Sequence, residues 1–336
     1  MNRILVLFLV FLPEICVAFL IGHRQSFSSG APTKEQNKHR FVLHLQSDGT
    51  TPAVRLTILL PAYEESLRIS DTLDSYWDWI AGSPTWCNQT DFLVVDDGSV
   101  DGTADVVSRI SASKSSIPIS CISLKYNRGK GEAIAKGLQE IERCRREYMP
   151  LMDESSGHLV LVADADGSGD IACLNSMVDS LARLFDDRRR LPVGGFSLGG
   201  AQTLFWSELG LVVGDRGYSG TGRFRSVLRW GFRTCVRLVC GNLQVSDTQC
   251  GLKLMTLDTG LVLYNSLNLR RWTHDVEVLY RARELGVPLT EVAINWEEKE
   301  GSKLVQSTSG TVAASASMLK EILQMRVKYA TGEWRI

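Results

Sequence analysis

The sequence predicts an α/β fold, a mostly parallel sheet flanked by helices. Three observations predict it. Short β-rich runs alternate with helical patterns from residue 55 to residue 163, the signature of strands joined by crossover helices. Two of those runs, at 91–95 and 158–163, are apolar without alternation, as strands buried on both faces are. The runs end in polar or acidic residues, and in such sheets ligands gather at the carboxyl ends of the strands.

The elements follow in order. Arg55-Leu-Thr-Ile-Leu-Leu60 is a strand closed by Pro61, and a helical pattern runs from about Ser66 to Ile80. Asp91-Phe-Leu-Val-Val95 is a second strand, leading into Asp96-Asp97-Gly98-Ser99, with a helix from Thr103 to Ile110. A third strand, Ile117 to Leu124, is interrupted by polar residues and precedes a helix from Gly131 to Arg146. The fourth, His158-Leu-Val-Leu-Val-Ala163, ends in Asp164-Ala-Asp166.

Ahead of them, Ile4 to Ile21 is apolar apart from Pro13 and Glu14 near its middle. As a helix it reaches about 27 Å, just enough for a bilayer core. We expect a transmembrane signal anchor over residues 1–22, with a cleaved signal peptide and an interfacial segment as alternatives. A polar linker over 23–53 and one folded domain over 54–336 follow. Arg24, Lys34, Lys38 and Arg40 follow the apolar span and only Arg3 precedes it, so the positive-inside rule places the domain in the cytosol. The eight cysteines form no Cys-x-x-Cys pair, as expected of reduced thiols there. The formal net charge of −1 gives no support to a nucleic-acid partner.

Each strand end suits a particular chemistry. Pro61 and Tyr63, with Glu64 and Glu65 behind them, suit one wall of a nucleobase pocket, or a plain turn. Asp96 and Asp97 suit a base N–H or a ribose hydroxyl, or the cap of the next helix. Lys125-Tyr-Asn-Arg-Gly-Lys130-Gly131 sets cations among glycines, which suits a diphosphate, although no Ser or Thr follows as in a P-loop. Asp164 and Asp166, one residue apart after an apolar strand, suit Mg²⁺ or Mn²⁺, hard ions that share oxygen ligands with substrate phosphates. Such an ion would offset charge on a departing diphosphate.

In this order the strand ends resemble those of the family-2 glycosyltransferases of GT-A (Rossmann-like) fold, and most closely the dolichyl-phosphate β-glucosyltransferases. The resemblance rests on Pro61-Ala-Tyr-Glu-Glu65, Val94-Val-Asp-Asp-Gly-Ser-Val-Asp-Gly-Thr103, Asn127-Arg-Gly-Lys-Gly131 and Ala163-Asp-Ala-Asp-Gly167. It continues through Val213-Gly-Asp-Arg216, Asp247-Thr-Gln-Cys-Gly-Leu-Lys253, Arg271-Trp-Thr-His-Asp-Val-Glu277 and Asn295-Trp-Glu-Glu-Lys-Glu-Gly-Ser-Lys303, covering about residues 54 to 335. It implies transfer of glucose from UDP-glucose to dolichyl phosphate with inversion, at the endoplasmic-reticulum membrane and among its lipids, with the catalytic domain facing the cytosol. GDP-mannose is the alternative donor.

By the same resemblance Pro61, Tyr63, Glu65 and Asp97 line the uridine site, and Asp96 and Lys130 also face the nucleotide sugar. Asp164 and Asp166 form the metal and diphosphate motif. Arg216 and Arg225 grip the acceptor phosphate, and Gln249 and Asp275 lie near the acceptor and the sugar. The chain differs from the usual pattern in Glu64 where Asn is common, Asp215 where a small residue is common and His274 where an aromatic is common. It also has a longer stretch between Phe185 and Val213.

A phosphate acceptor is already anionic, so the site must supply position and charge. Asp275 then has two roles open to it, a general base or, favoured, an acceptor for a sugar hydroxyl. Arg216, Arg223, Arg225, Arg229, Arg233 and Arg237 follow one another with no acidic residue among them. The last four recur every fourth position and make one stripe on a helix. A helix over about 218–241 therefore suits an anionic membrane surface, or packs as an ordinary amphipathic helix, and a second interface helix is expected at 311–329. Two rivals remain. Gly195-Phe-Ser197-Leu-Gly199 matches a hydrolase nucleophile elbow without a strand before it. An inactive nucleotide-binding membrane scaffold is the other.

Overall fold

A computed structural model describes residues 54–148, 157–186, 196–197, 203–204, 209–217, 223–297, 299 and 308–336; for 148, 186, 196–197, 203–204, 223–230 and 308–313 it describes the backbone alone. The expected anchor and linker lie outside the described residues. Among those described, no helix is long and apolar enough to cross a membrane.

The predicted alternation is present. β1 (Arg55–Ala62), α1 (Ile69–Ala81), β2 (Thr90–Asp96), α2 (Thr103–Ser113), β3 (Ile119–Ser123), α3 (Lys130–Tyr148) and β4 (His158–Val162) follow one another. After them come α4 (Leu174–Asp186), the short strands β5 (Phe196–Ser197) and β6 (Thr203–Leu204), β7 (Leu211–Asp215) and α5 (Arg223–Cys240). β8 (Lys253–Thr256), α6 (Leu257–Tyr264), α7 (His274–Glu284), β9 (Leu289–Ala293) and α8 (Thr308–Ala330) complete the order.

Among the described residues the main sheet has seven strands, in the order β3-β2-β1-β4-β8-β7-β9. β3, β2, β1 and β4 are mutually parallel, β8 runs antiparallel to both neighbours, and β7 pairs parallel with β9. The reversal of β8 matters for the site. It sets the start of that strand, Lys253, opposite Val162 near the end of β4 and Val213 in β7. Helix α3 lies on β1 and β2, where Gly137 allows Leu59 and Val95 to approach closely. Helix α4 covers β7, β8 and β9, and α5 packs on α8.

One expectation needs correction. Pro61 does not close β1, which runs on to Ala62 with Pro61 opposite Val95. Along β1 the N–H groups alternate between neighbours: Leu56 donates toward β2, at Gln89, and Arg55 toward β4, at Gly157. Residue 61 therefore faces β4, whose pairing with β1 ends at Leu59 and Val162. A proline costs no ladder bond where the ladder has already ended.

The arginine stripe splits. Arg237 is exposed, while Arg233 turns toward Asp247, with 3.9 Å between Nη2 and Oδ1. The side chains of Arg225 and Arg229 lie outside the described residues. Ser197 sits within β5, paired with Thr203, and not on a strand-to-helix turn, so the hydrolase rival lacks its geometry. Among the described residues all cysteines are free thiols.

Candidate active site

The site lies at the carboxyl ends of β1, β2 and β4 and is closed by the turn before β8 and the start of α7. The loop after β1 is tied to the loop after β2 through its backbone. The N–H groups of Glu64, Glu65 and Ser66 donate to Ser99 Oγ at 2.8 Å, Thr103 Oγ1 at 2.9 Å and Asp101 Oδ2 at 3.0 Å. Glu64 adopts a left-handed φ of 52° to make this turn. Pro61 is buried beneath it, Tyr63 is half-buried, and the Glu65 carboxylate is gripped by Arg68 through two hydrogen bonds of 2.7 Å.

Asp96 and Asp97 are both buried. Asp96 accepts from the N–H of Ser99 at 3.0 Å. Asp97 accepts from the N–H groups of Arg128 at 2.8 Å and Gly129 at 2.7 Å. Burial pushes its carboxyl above the usual range, against the pull of those two amides. In this structure both aspartates build the pocket: Asp96 ties down its own loop, and Asp97 holds the loop that leads into α3. Gly129 takes a φ of 100°, a conformation L side chains rarely adopt, and a Cβ there would strike the carbonyl of Arg270.

Asp164 and Asp166 project from the end of β4 and are partly exposed. Asp166 accepts from the N–H of Ser168 at 3.1 Å, and its other oxygen lies 3.7 Å from Arg68 Nη1. Asp164 accepts from the ammonium of Lys130, the first residue of α3. Burial works against the charge on Asp164, but Lys130 outweighs it and holds the carboxyl below its usual range. For Lys130, burial is outweighed by Asp164 and Asp275 and the ammonium is held above its usual range. Gly251 packs directly under this carboxylate, and a Cβ there would overlap both of its oxygens.

These residues fit a hard divalent cation. The two carboxylates offer oxygen donors only, and each already faces a cation. Among the described residues no cluster of three or more His, Cys, Asp or Glu is present. An ion on Asp164 and Asp166 would thus complete its shell with water and substrate phosphates, as Mg²⁺ does.

The start of α7 brings a further pair. Asp275 is buried, and its Oδ1 receives the ammonium of Lys253 at 2.5 Å. His274 Nε2 lies 3.2 Å from the same oxygen, while its Nδ1 meets the carbonyl of Arg271 at 2.6 Å. Burial opposes the charge on Asp275, but His274, Lys253 and Lys130 together hold its carboxyl far below the usual range. Burial pulls the His274 imidazole down to about 4, so it is neutral at pH 7.

On the far side of β8, Arg216 at the end of β7 makes a two-pronged pair with Asp247, Nε to Oδ2 at 2.5 Å and Nη2 to Oδ1 at 2.8 Å. Its guanidinium lies 5.4 Å from the ring centre of Trp296. Gln249 is half-buried beside this pair, its N–H donating to Asp247 at 3.2 Å. Arg216 is thereby locked in position by Asp247.

Of the residues the sequence marks, Asp164, Lys130 and Asp275 come together in one charged cluster, and Asp166 stands beside it, facing Arg68. Sequence reasoning missed Arg68, Asp247 and Lys253. Arg68 was signalled by its i,i+3 spacing from Glu65. Lys253 was signalled by its position inside a run that is otherwise apolar, Leu252 to Met255.

Residues 57–187 match the model for Glycosyl transferase family 2. The chain is 31% identical over 305 residues to the dolichyl-phosphate beta-glucosyltransferase of Dictyostelium discoideum, spanning 90% of this chain and 83% of that one. It is 32% identical over 314 residues to the enzyme of the same name from Mus musculus, spanning 91% and 87%. The solved mannosyl-3-phosphoglycerate synthase from Rubrobacter xylanophilus aligns over 84% of this chain and 76% of its own, with 15% identity and a TM-score of 0.49.

Proposed function

Since the chain belongs to the dolichyl-phosphate β-glucosyltransferases of glycosyl transferase family 2, we propose that its donor is UDP-glucose and that it glucosylates dolichyl phosphate with inversion. The observation that carries this reading is the opposition of two charge centres across β8. On one side lie Asp164 and Asp166 with Lys130. On the other lies Arg216, braced by Asp247.

Asp164 and Asp166 would hold Mg²⁺ or Mn²⁺, which would offset the charge on the departing diphosphate. The chain's own residues do the rest. Pro61, Tyr63 and the loop that Asp97 holds wall the uridine. Lys130 faces the diphosphate. Arg216, together with Arg225 from α5, draws the acceptor phosphate toward the sugar against the repulsion of two anions. An acceptor phosphate oxygen forms the new bond to C1 as the bond from C1 to the UDP oxygen breaks, and UDP departs with the electron pair. No proton need leave the acceptor, so Asp275 serves best as a sugar ligand. The exposed Arg237 and Leu238 of α5 fit a domain resting on the cytosolic face of the endoplasmic reticulum, anchored by residues 1–22.

The test is a donor panel with purified protein and dolichyl phosphate in detergent, with and without Mg²⁺ or Mn²⁺. Glucosyl transfer from UDP-glucose, lost in chelator, is the expected result. Transfer from GDP-mannose alone would overturn the donor, full activity in chelator would overturn the metal, and binding without release of UDP would favour the scaffold.

A further inference from the structure

Lys253 opens β8 between β4 and β7, two central strands, and is 1% exposed. An ammonium taken out of water is costly unless an opposite charge and further acceptors meet it. Here both are present. Nζ donates to Asp275 Oδ1 at 2.5 Å and to the carbonyl oxygen of Cys250. Cys250 belongs to the turn that also carries Gln249 and Gly251, the latter packed on Asp164. One buried ammonium thus ties the turn beneath the metal motif to the first turn of α7.

The two oxygens of Asp275 are used unequally. Oδ1 faces Lys253 and His274 together. Oδ2 has no protein partner among the described residues. The groups facing this carboxylate are Lys253 from β8, Lys130 from α3, Asp164 from the end of β4, Tyr264 from α6 and His274 on its own helix. The helix N-terminus adds further support for the negative charge. Along the floor of the site the charges alternate: Asp164, Lys130, Asp275, Lys253.

We propose that Lys253 is a positioning residue for the donor sugar: by saturating Oδ1 of Asp275 from below, it turns Oδ2 toward a hydroxyl of the transferred hexose. The inference rests on the proposed function in taking a nucleotide sugar as ligand, and adds which group reads the sugar and what aims it. Lys253 touches neither substrate nor the reacting atoms. Its loss should therefore be felt by the hexose and not by the nucleotide.

The experiment is calorimetric binding of UDP-glucose and of UDP, with Mn²⁺, to wild type, Lys253→Met and the charge-neutral double variant Lys253→Met/Asp275→Asn. The expected result is a weakening of UDP-glucose by about tenfold or more, the loss of one charge-assisted hydrogen bond, with UDP affinity within about twofold of wild type. The double variant leaves no unpaired buried carboxylate and, because it also removes the oxygen that reads the sugar, sets the selective loss that Lys253→Met should match. If Lys253→Met fails to fold, Lys253→Gln, whose amide can still donate to Asp275, takes its place and should show the same selective loss in smaller measure. Equal weakening of UDP and UDP-glucose, or no change in either, would overturn the inference. A wrong donor shows itself separately, as wild-type turnover of GDP-mannose without UDP-glucose; Lys253 is then judged by the same comparison of GDP-mannose with GDP.

Discussion

At the amino end of the sheet, Arg55, Thr57, Asp91 and His158 form a polar cluster that is almost wholly shut from solvent. Thr57 Oγ1 donates to Asp91 at 2.7 Å and meets His158 Nε2 at 2.8 Å, while Arg55 lies 3.4 Å from the other Asp91 oxygen. At the carboxyl end, Asp164, Asp166, Lys130 and Arg68 are also paired, yet all four remain partly open to solvent. The amino-end groups have partners on β1, β2 and β4 and nowhere to go. The carboxyl-end groups come from strand ends, loops and the starts of helices, and can exchange one partner for a ligand. The difference teaches where to look for chemistry in a charged interior: among the pairs that solvent, and so substrate, can reach.

The largest expected effect follows from breaking the open end. Gly251→Ala places a methyl group against the Asp164 carboxylate. It should lower kcat/KM for sugar transfer by about a hundredfold, the usual cost of misplacing a reacting group by an ångström, while the thermal midpoint moves little.

The closed end should respond in the opposite sense, through stability. Burial pulls His158 from 6.5 down to about 3. The unfolded chain then binds a proton that the folded chain refuses. The stability this histidine carries is present above about pH 6.5 and is lost as pH falls toward 3. His158→Gln, whose amide can still donate to Thr57, should flatten that acid limb by on the order of 2 kcal/mol at pH 5, measured by denaturant unfolding across pH. A variant as acid-sensitive as wild type would remove the contrast.

The smallest effect sharpens the comparison at the rim. Glu64 holds its φ of 52° for the sake of the Ser99 contact. Asparagine visits that region more readily, so Glu64→Asn should stabilise the fold by about 1 kcal/mol or less, with the transfer rate unchanged.

Much of this was legible in the sequence where signal is local. An apolar run followed by Asp164-Ala-Asp166 announces a strand and its functional end within nine residues, His158 to Asp166. The elements from β1 to β4 fall within a few residues of where their patterns place them, because each helix or strand there keeps its own period. What stayed hidden depends on sheet order. Nothing in Lys253-Leu-Met-Thr256 says that the strand runs backwards between β4 and β7, and without that reversal Lys253 cannot be set against Asp275, 22 residues away. The split of the arginine stripe was hidden for the same reason, since Asp247 reaches Arg233 only through the folded turn before β8. Pro61 misled because its meaning depends on which neighbour its missing N–H would have faced.

The most direct measurement is UDP release on adding dolichyl phosphate to protein preloaded with UDP-glucose and Mn²⁺, at neutral pH and at equal folded fraction, for wild type, His158→Gln and Gly251→Ala. Wild type and His158→Gln should release UDP at the same rate, and Gly251→Ala about a hundredfold more slowly. Release by Gly251→Ala at the wild-type rate, or an equal loss in His158→Gln, would contradict the assignment of the chemistry to the open end of the sheet.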